Sequence, residues 1–159
     1  MGQGEAAPVI LWFRRDLRLD DHAALTAAVA TGRPVIALFV HDETVEALGA
    51  AAKWRLGQGL AVLAGSLAAA GSRLILRRGP ALAVLRAIIA ETGAVAVCWS
   101  RVHDPEGIAR DRAVKAALVA AGVAAQSHAG ALLFEPWTVA TGAGRPYAVY
   151  TPYWRAVRG

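Results

Sequence analysis

Short apolar runs alternate with longer segments of helical periodicity along most of the chain. The apolar runs predict five strands, over residues 9–13, 35–40, 73–76, 95–99 and 123–126, and the longer segments predict helices over 22–30, 50–70, 80–92 and 105–121. Nearly continuous apolar strands separated by helices are typical of a parallel sheet that is covered on both faces. The pattern therefore predicts an α/β fold, a Rossmann-like, doubly wound parallel sheet of about five strands flanked by helices.

Residues at and inside the predicted helices add detail to this pattern. Asp20 and Asp21 are candidate N-caps of the first helix. Gly57 and Gly59 lie inside the predicted helix over 50–70, where we expect them to allow close packing rather than to bind phosphate. The sequence contains no G-x-G-x-x-G and no G-x-x-x-x-G-K-[ST] motif, which disfavours an ordinary dinucleotide site or a P-loop.

Composition narrows the class of protein. The chain has 159 residues, of which 56% are hydrophobic, and this is enough for one domain with a well-filled core. No apolar stretch approaches the roughly 20 residues that span a bilayer, and the start of the chain lacks the basic segment of a signal peptide. We therefore expect a cytoplasmic protein with no membrane partner. Cys98 is the only cysteine, and its expected role is that of a buried small side chain in a reducing compartment.

The charge and the histidine content say less about the function. The 17 Lys and Arg residues against 12 Asp and Glu residues give a net charge of +5, which is compatible with a polyanionic partner. The basic residues are scattered in small groups, so a solvated surface is favoured over a nucleic-acid-binding tract. The four histidines are dispersed along the chain, and no metal site is predicted from them.

Polar residues follow three of the predicted strands. Arg14, Arg15 and Asp16 follow the first strand, His41 and Asp42 the second, and the segment 101–104 the fourth. In an open α/β sheet, ligands bind beyond the carboxyl ends of the strands. Because loops at strand ends are polar in most proteins of this class, the placement supports a binding site at this edge without identifying the ligand.

The pattern changes at residue 136. Segment 136–159 is rich in turn residues and contains all three tyrosines together with Trp137 and Trp154. Side chains of this size bury large areas, so the segment requires a surface to pack on. Two alternatives are open at this point. The aromatics serve a surface that the chain itself lacks, or they fold back over the domain's own sheet.

Four segments carry a family resemblance. Residues 11–25, LWFRRDLRLDDHAAL, resemble the opening W-F-R-x-D-L-R-x-x-D-x-x-A-L of DNA photolyases and cryptochromes, and three further segments agree in order, AKWRL at 52–56, DPEGIARD at 104–111 and TGAGRPYAVYTPYWR at 141–155. The resemblance covers nearly the whole chain and is absent only from the first eight or so residues. It identifies residues 1–135 as a photolyase-type α/β antenna domain and residues 136–159 as the start of a connector to a helical domain.

The resemblance implies a flavoprotein in two parts. The α/β domain would hold a light-harvesting pigment, and a helical domain outside this chain would hold FAD and contact damaged DNA. In photolyases the excited reduced flavin donates an electron to a pyrimidine dimer flipped out of the duplex, which splits the dimer. We therefore expect the parent protein to be a deoxyribodipyrimidine photolyase. No catalytic residue is predicted in this chain, which alone is expected to be inactive.

Members of the family build the pigment site from the loops after strands one, two and four and from the start of the long helix. The candidates at those positions that offer charge or hydrogen bonds are Arg14, His41, Asp42, Lys53, Arg55 and Asp104, and those that offer apolar contact are Leu48, Trp54 and Val102. Asp104 is the leading candidate, because an acid after the fourth strand recurs in folate-type members. Val102 stands where deazaflavin-type members have an acid, and Gly49 stands near the histidine of some folate binders. Methenyltetrahydrofolate, 8-hydroxydeazaflavin and FMN all stay open as pigments.

Other interpretations of the same residues also stay open. For Arg15, Asp16 and Arg18 the favoured interpretation is that they pair with each other or pin this domain to its neighbour. Lys53 and Arg55 are equally explained as an exposed helix face. A cryptochrome photoreceptor shares this domain, and a free-standing small-molecule-binding module is the third interpretation of the chain. Photolyase is favoured because no feature of the sequence demands signalling.

Overall fold

The computed structural model describes residues 6–158, which form five strands and six helices. The strands are β1 (Val9–Phe13), β2 (Val35–His41), β3 (Leu74–Arg78), β4 (Ala96–Ser100) and β5 (Ala124–His128), and the helices are α1 (Ala23–Ala30), α2 (Glu43–Glu46), α3 (Ala50–Ala69), α4 (Ala81–Thr92), α5 (Pro105–Ala120) and α6 (Tyr150–Val157). The five predicted strands and the four predicted helices are present. The described part of the chain does not include residues 1–5 or residue 159. The expectation that the chain starts without a signal peptide concerns residues 1–5 and so lies outside it.

The strands form one parallel sheet in the order β3-β2-β1-β4-β5. β1 lies at the centre and pairs with β2 along its whole length, from Val9 opposite Val35 to Phe13 opposite Phe39. The chain winds outward from β1 to β3 and then crosses back to β4 on the other side. This arrangement confirms the predicted doubly wound, Rossmann-like sheet.

Side chains of β1 alternate between two hydrophobic clusters, one on each face of the sheet. Ile10 and Trp12 point to the face covered by α4 and α5, and their cluster contains Leu85 and Leu118 from those helices. The other residues of β1 point to the face covered by α1 and α3, where the cluster contains Ala24, Ala28, Leu63 and Leu67. Burial on both faces explains why β1 is an uninterrupted apolar run.

The structure corrects several predicted element ends. β3 begins at Leu74 rather than residue 73 and continues through Arg78. Its last residues can be charged because β3 is an edge strand and their side chains are exposed to solvent. Neither Asp20 nor Asp21 caps α1. Asp21 has a φ of 47° and occupies a left-handed turn, and the N-cap is His22, whose Nδ1 accepts a hydrogen bond from the backbone N–H of Leu25.

Two helices were not predicted, α2 and α6. α2 is a single turn of four residues that begins after Asp42. α6 lies within the segment predicted as a connector, and none of its residues is buried, so this helix does not fold back into the core of the domain. Among the helices of the described residues, none combines the length and apolar character needed to cross a membrane.

Candidate functional site

The carboxyl ends of β1, β2 and β4 meet at one edge of the sheet. β1 lies between the other two, and the direction of winding reverses there, which makes this edge the topological switch point of the fold. The residues that follow these strands begin at Arg14, Asp42 and Arg101. The topology alone therefore brings the three predicted polar loops together.

A buried arginine sits at the centre of this edge. Arg14 is 8% exposed, and its Nη1 donates to both carboxylate oxygens of Asp111 at 2.6 Å. Its Nη2 donates to the backbone carbonyl of Ser100 at the end of β4. Burial lowers the pKa of the Arg14 guanidinium and the Asp111 carboxylate opposes that effect, so the pair holds its charges because each partner neutralises the other.

A second arginine extends the network to β2. Arg110 on α5 donates to Asp111 at 2.9 Å and to Asp42 at 2.8 Å. The guanidinium carbons of Arg14 and Arg110 lie 4.7 Å and 5.0 Å from the centre of the Trp12 ring. Cations over an aromatic face are attracted by its quadrupole, so Trp12 helps to hold both side chains in place.

Asp16 and His22 support the loop that carries Arg14. The backbone N–H of Arg14 donates to Asp16 Oδ1 at 2.8 Å, and His22 Nε2 lies 2.8 Å from Asp16 Oδ2. His22 Nδ1 accepts from Leu25, so the ring proton lies on Nε2 and faces the carboxylate. Burial alone would raise the pKa of Asp16, but hydrogen bonds from His22, Ser100 and Arg14 outweigh it and lower the pKa to about 2.

Asp42 and Asp104 each begin a helix. Asp42 Oδ1 accepts from the backbone N–H groups of Thr44 and Val45, which caps α2. Asp104 Oδ1 accepts from the N–H of Gly107 at 2.8 Å, which caps α5, and its Oδ2 lies 3.3 Å from Nη1 of Arg15. The hydrogen bond from Gly107 and the Arg15 charge lower the pKa of Asp104, so this carboxylate is ionised at neutral pH.

Two neighbouring spaces open at this edge. The first, which we call the inner cavity, has a volume of about 60 Å³ and is lined by Arg14, Arg15, Phe39, Val40, Asp42, Thr44, Val45, Leu48, Leu56, Val102, Asp104, Gly107 and Arg110. The second, the switch-point cleft, has a volume of about 470 Å³ and lies between the loops after β1 and β4, where it is lined by residues 14–16, 18, 100–104 and 130–132. Arg14, Arg15, Val102 and Asp104 form the wall common to both.

The structure brings part of the predicted pigment set together. Arg14, Asp42, Leu48, Val102 and Asp104 all line the inner cavity, and three of them also line the cleft. Asp42 is 3% exposed and its two carboxylate oxygens are taken up by α2 and Arg110. Its role in this structure is to fix the wall of the cavity.

The remaining predicted residues lie away from both spaces. His41 and Lys53 lie 3.5 Å and 3.6 Å from the Glu46 carboxylate, on the side of the site that faces β3. Trp54 is 68% exposed on α3, and Arg55 is exposed beside it. These four side chains do not line the inner cavity or the switch-point cleft in the described conformation.

The motif residues after β1 do not pair with each other as one interpretation expected. Arg15 contacts Asp104, Asp16 contacts His22, and Arg18 donates to the backbone carbonyls of Asp21 and Gly130. Each side chain therefore ties the loop to a different element of the same domain.

Sequence reasoning left Arg110 and Asp111 out of the site. Their signal was present in α5, because Arg110, Val114 and Leu118 follow one another at intervals of four and share a helix face. Val114 and Leu118 are buried, so a charge at the first position of that face has to be paired. Within residues 6–158, no cluster of three His, Cys, Asp or Glu side chains has the spacing to hold a metal ion.

The chain is similar to known proteins of one family. The family model for DNA photolyase matches residues 9–159. A deoxyribodipyrimidine photo-lyase of Agrobacterium fabrum is 48% identical over 98% of this chain and 32% of its own length, and cryptochrome-1 of Arabidopsis thaliana is 40% identical over 96% of this chain and 23% of its own. A crystal structure of a bacterial class III photolyase from Agrobacterium tumefaciens superposes with a TM-score of 0.92 at 49% identity, and covers 96% of this chain and 32% of that one.

The chain belongs to the DNA photolyase family. It spans about a third of the length of the photolyase it matches. The resemblance that the motifs indicated is therefore confirmed, and the fold is that of the amino-terminal α/β domain of these proteins.

Proposed function

We propose that this chain is the amino-terminal part of a deoxyribodipyrimidine photolyase, which repairs pyrimidine dimers in DNA with light. The observation that carries the proposal is the 48% identity to a photolyase over nearly the whole chain. In such a protein, FAD in the helical domain supplies the electron-transfer chemistry and that domain contacts damaged DNA. This domain contributes no catalytic residue and has the helical domain as its partner.

The function of this domain in that protein is to bind the light-harvesting pigment in the switch-point cleft. A volume of about 470 Å³ lies within the range of small-molecule sites, about 300–1,000 Å³, whereas the inner cavity of about 60 Å³ has room only for water. The cleft lies where open α/β sheets bind their ligands. Its size and position both support it over the inner cavity as the pigment site.

The cleft offers the contacts that a flat ring with polar edges requires. Val102 supplies apolar surface. Asp104 supplies an ionised carboxylate that accepts hydrogen bonds from ring or amide N–H groups, and Arg15, whose side chain is 70% exposed, supplies a cation for an anionic tail. Arg14 is already held by Asp111 and fixes the floor of the cleft rather than recognising the pigment.

Pigment binding is tested by titrating the purified chain separately with methenyltetrahydrofolate, 8-hydroxydeazaflavin, FMN and FAD and following absorption and fluorescence. We expect one of the first three to saturate. Asp104→Asn, which keeps a capping side chain, and Arg15→Gln each remove a charge and are expected to weaken binding about tenfold. Glu91→Gln, at an exposed pair with Arg77, is the matched control and leaves binding unchanged. If no pigment saturates, or if both cleft variants bind as the parent chain does, the cleft is not the pigment site.

A cryptochrome photoreceptor is the second candidate for the whole protein, favoured by the 40% identity to cryptochrome-1. The two are separated by incubating the full-length gene product, loaded with FAD, with an oligonucleotide that contains a cyclobutane thymine dimer under blue light. Light-dependent restoration of the thymines identifies a photolyase. If the flavin-loaded protein absorbs the light but leaves the dimer intact, it is a photoreceptor.

A cytoplasmic location accords with this function. Cys98, the single cysteine, is buried and unpaired, which fits a reducing compartment. The location is tested by fractionating the source cells and following the chain with an antibody.

A further inference from the structure

A third space lies on the outer side of the segment that joins β4 to α5. This outer cavity has a volume of about 300 Å³ and is lined by Trp99, Arg101, Val102, His103, Ile108, Asp111, Arg112, Lys115, Ser127 and Trp137. It shares residues 101–103 with the switch-point cleft, but Arg14, Arg15 and Asp104 do not line it. It is therefore a neighbouring space that shares part of its wall with the cleft, and Val102 is the one residue assigned to the pigment that also lines it.

The outer cavity has a flat aromatic wall. Trp137 is 66% exposed, and the guanidinium carbon of Arg101 lies 5.4 Å from the centre of its ring. Arg101 is held in place by Glu135, to which Nη2 donates at 2.8 Å, and by the carbonyl of Ser127, to which Nη1 donates at 2.6 Å. An exposed indole and an ordered guanidinium both present planar surfaces on which nucleobases stack.

The charges of this cavity are unbalanced toward positive. Its one carboxylate, Asp111, is neutralised by Arg14 and Arg110. Arg112 and Lys115 lie three residues apart on α5, are exposed, and have no ion-pair partner among residues 6–158. Two cations without a counter-ion beside a stacking surface match a ligand that joins an aromatic ring to an anion.

We propose that the outer cavity binds a nucleoside 5′-phosphate, with the base against Trp137 and Arg101 and the phosphate between Arg112 and Lys115. The same chemistry is presented by a free mononucleotide and by one nucleotide of a single strand. A volume of about 300 Å³ is at the lower end of the range for small-molecule sites and accommodates one such unit. The inference does not depend on the pigment site or on the parent protein being a photolyase.

The test is a titration of the chain with AMP, adenosine and a single-stranded oligothymidylate, followed by calorimetry and by quenching of tryptophan fluorescence. AMP is expected to saturate and to quench, and adenosine, which lacks the phosphate, is expected to bind about tenfold more weakly. The Arg112→Gln, Lys115→Gln double variant is expected to lose about tenfold in affinity for AMP. Trp137→Phe is expected to remove the quench, because the stacking ring is the fluorophore.

Controls separate this site from general charge and from unfolding. Arg86→Gln removes an exposed cation on α4 and Trp154→Phe an exposed tryptophan on α6, and both are expected to bind AMP as the parent chain does. Arg112 and Lys115 are exposed, so their variants keep the fold, which circular dichroism verifies. Tighter binding of the oligonucleotide than of AMP, lost in the double variant, identifies a single strand as the source, and equal affinities identify a free nucleotide. No saturable binding, or binding that the double variant and Trp137→Phe leave intact, overturns the proposal.

Discussion

At the scale of single residues, most polar groups at the carboxyl ends of β1, β2 and β4 hold the loops in place and are not free to bind a ligand. Arg14, Asp16, His22 and Asp42 are all 8% exposed or less, and each has a charged or capping partner within the domain. Buried charges of this kind are costly unless they are paired. Arg15 and Asp104 also pair with each other, but their side chains are 70% and 35% exposed, so they lie at the rim where a ligand can reach them.

Asp16 makes stability depend on acidity. Its pKa is about 2 in the folded chain against an ordinary value of 3.8, so the folded state binds the proton less readily than the unfolded chain does. The sign follows from linkage. This stabilisation is complete above the unfolded pKa and is lost as pH falls from about 4 to about 2, by roughly 2 kcal/mol. Urea unfolding at a series of pH values measures it. Asp16→Asn is expected to flatten the profile in that window, and an unchanged slope in this variant would assign the acid sensitivity to other groups.

The Asp111 carboxylate is the counter-charge of the buried Arg14, so the stability of the fold depends on it. Asp111→Asn leaves Arg14, which is 8% exposed, without its counter-charge, so we expect the free energy of unfolding to fall by about 3 kcal/mol. Glu91→Gln breaks the Arg77–Glu91 pair, whose side chains are about half exposed, and is expected to change it by less than about 0.5 kcal/mol. Chemical denaturation of both variants provides the comparison. Equal losses would mean that burial of the Arg14 pair does not matter.

At the scale of elements, two helical glycines have opposite roles. A Cβ at Gly107 would lie 2.4 Å from Cγ2 of Val102 and 2.9 Å from the Asp104 carboxylate, whereas a Cβ at Gly57 would meet nothing within 4 Å. We expect Gly107→Ala to destabilise the fold by about 1–3 kcal/mol, since the crowded atoms have to move. Gly57→Ala is expected to stabilise it by about 0.5–1 kcal/mol, because alanine favours the helix. Thermal unfolding of both variants tests the contrast, and stabilisation by Gly107→Ala would show that the start of α5 is looser than described.

The elements also show how far the sequence could predict the structure. The apolar runs predicted β1, β2 and β4 clearly, because the middle of the sheet is buried on both faces. The edge strands β3 and β5 are less buried, and both extend two residues beyond their predicted ends. The sequence did not predict α2, because a helix of four residues is too short to show a helical periodicity. The expected packing role of the helical glycines holds at Gly59, where a Cβ would lie 3.0 Å from Leu17, but not at Gly57.

The candidate site was predictable only in part. Residues directly after strands, such as Arg14 and Val102, reach the site because strand ends converge. Residues on helices, such as Trp54 and Arg110, reach the site only when their face of the helix packs against the sheet, and the prediction placed them by their position along the chain rather than by that face. Trp54 therefore lies in solvent, and Arg110, which the prediction omitted, lines the inner cavity.

At the scale of the whole molecule, the described residues divide into a packed sheet domain and an exposed aromatic end. The sheet carries both hydrophobic clusters. Exposed side chains gather after residue 131, where Leu133 is 93%, Tyr150 is 68% and Trp154 is 46% exposed. Apolar groups in this number are typical of surfaces that another body covers, which supports the proposed helical domain as their partner.

The domain is therefore expected to keep its stability without α6. The aromatic rings of that helix contact one another, with Tyr150 and Trp154 stacked 6.3 Å apart, and no residue of the helix is buried. Removing residues 150–159 takes away little buried apolar area, so the free energy of unfolding should change by less than about 1 kcal/mol. Chemical denaturation of the shortened chain measures this, and binding of a hydrophobic dye should fall because exposed aromatics are lost. Truncation after residue 119 is the contrasting control, because it removes β5 and one edge of the sheet and is expected to prevent folding. A large loss of stability on removing α6 alone would mean that the helix belongs to this domain rather than to the surface of its partner.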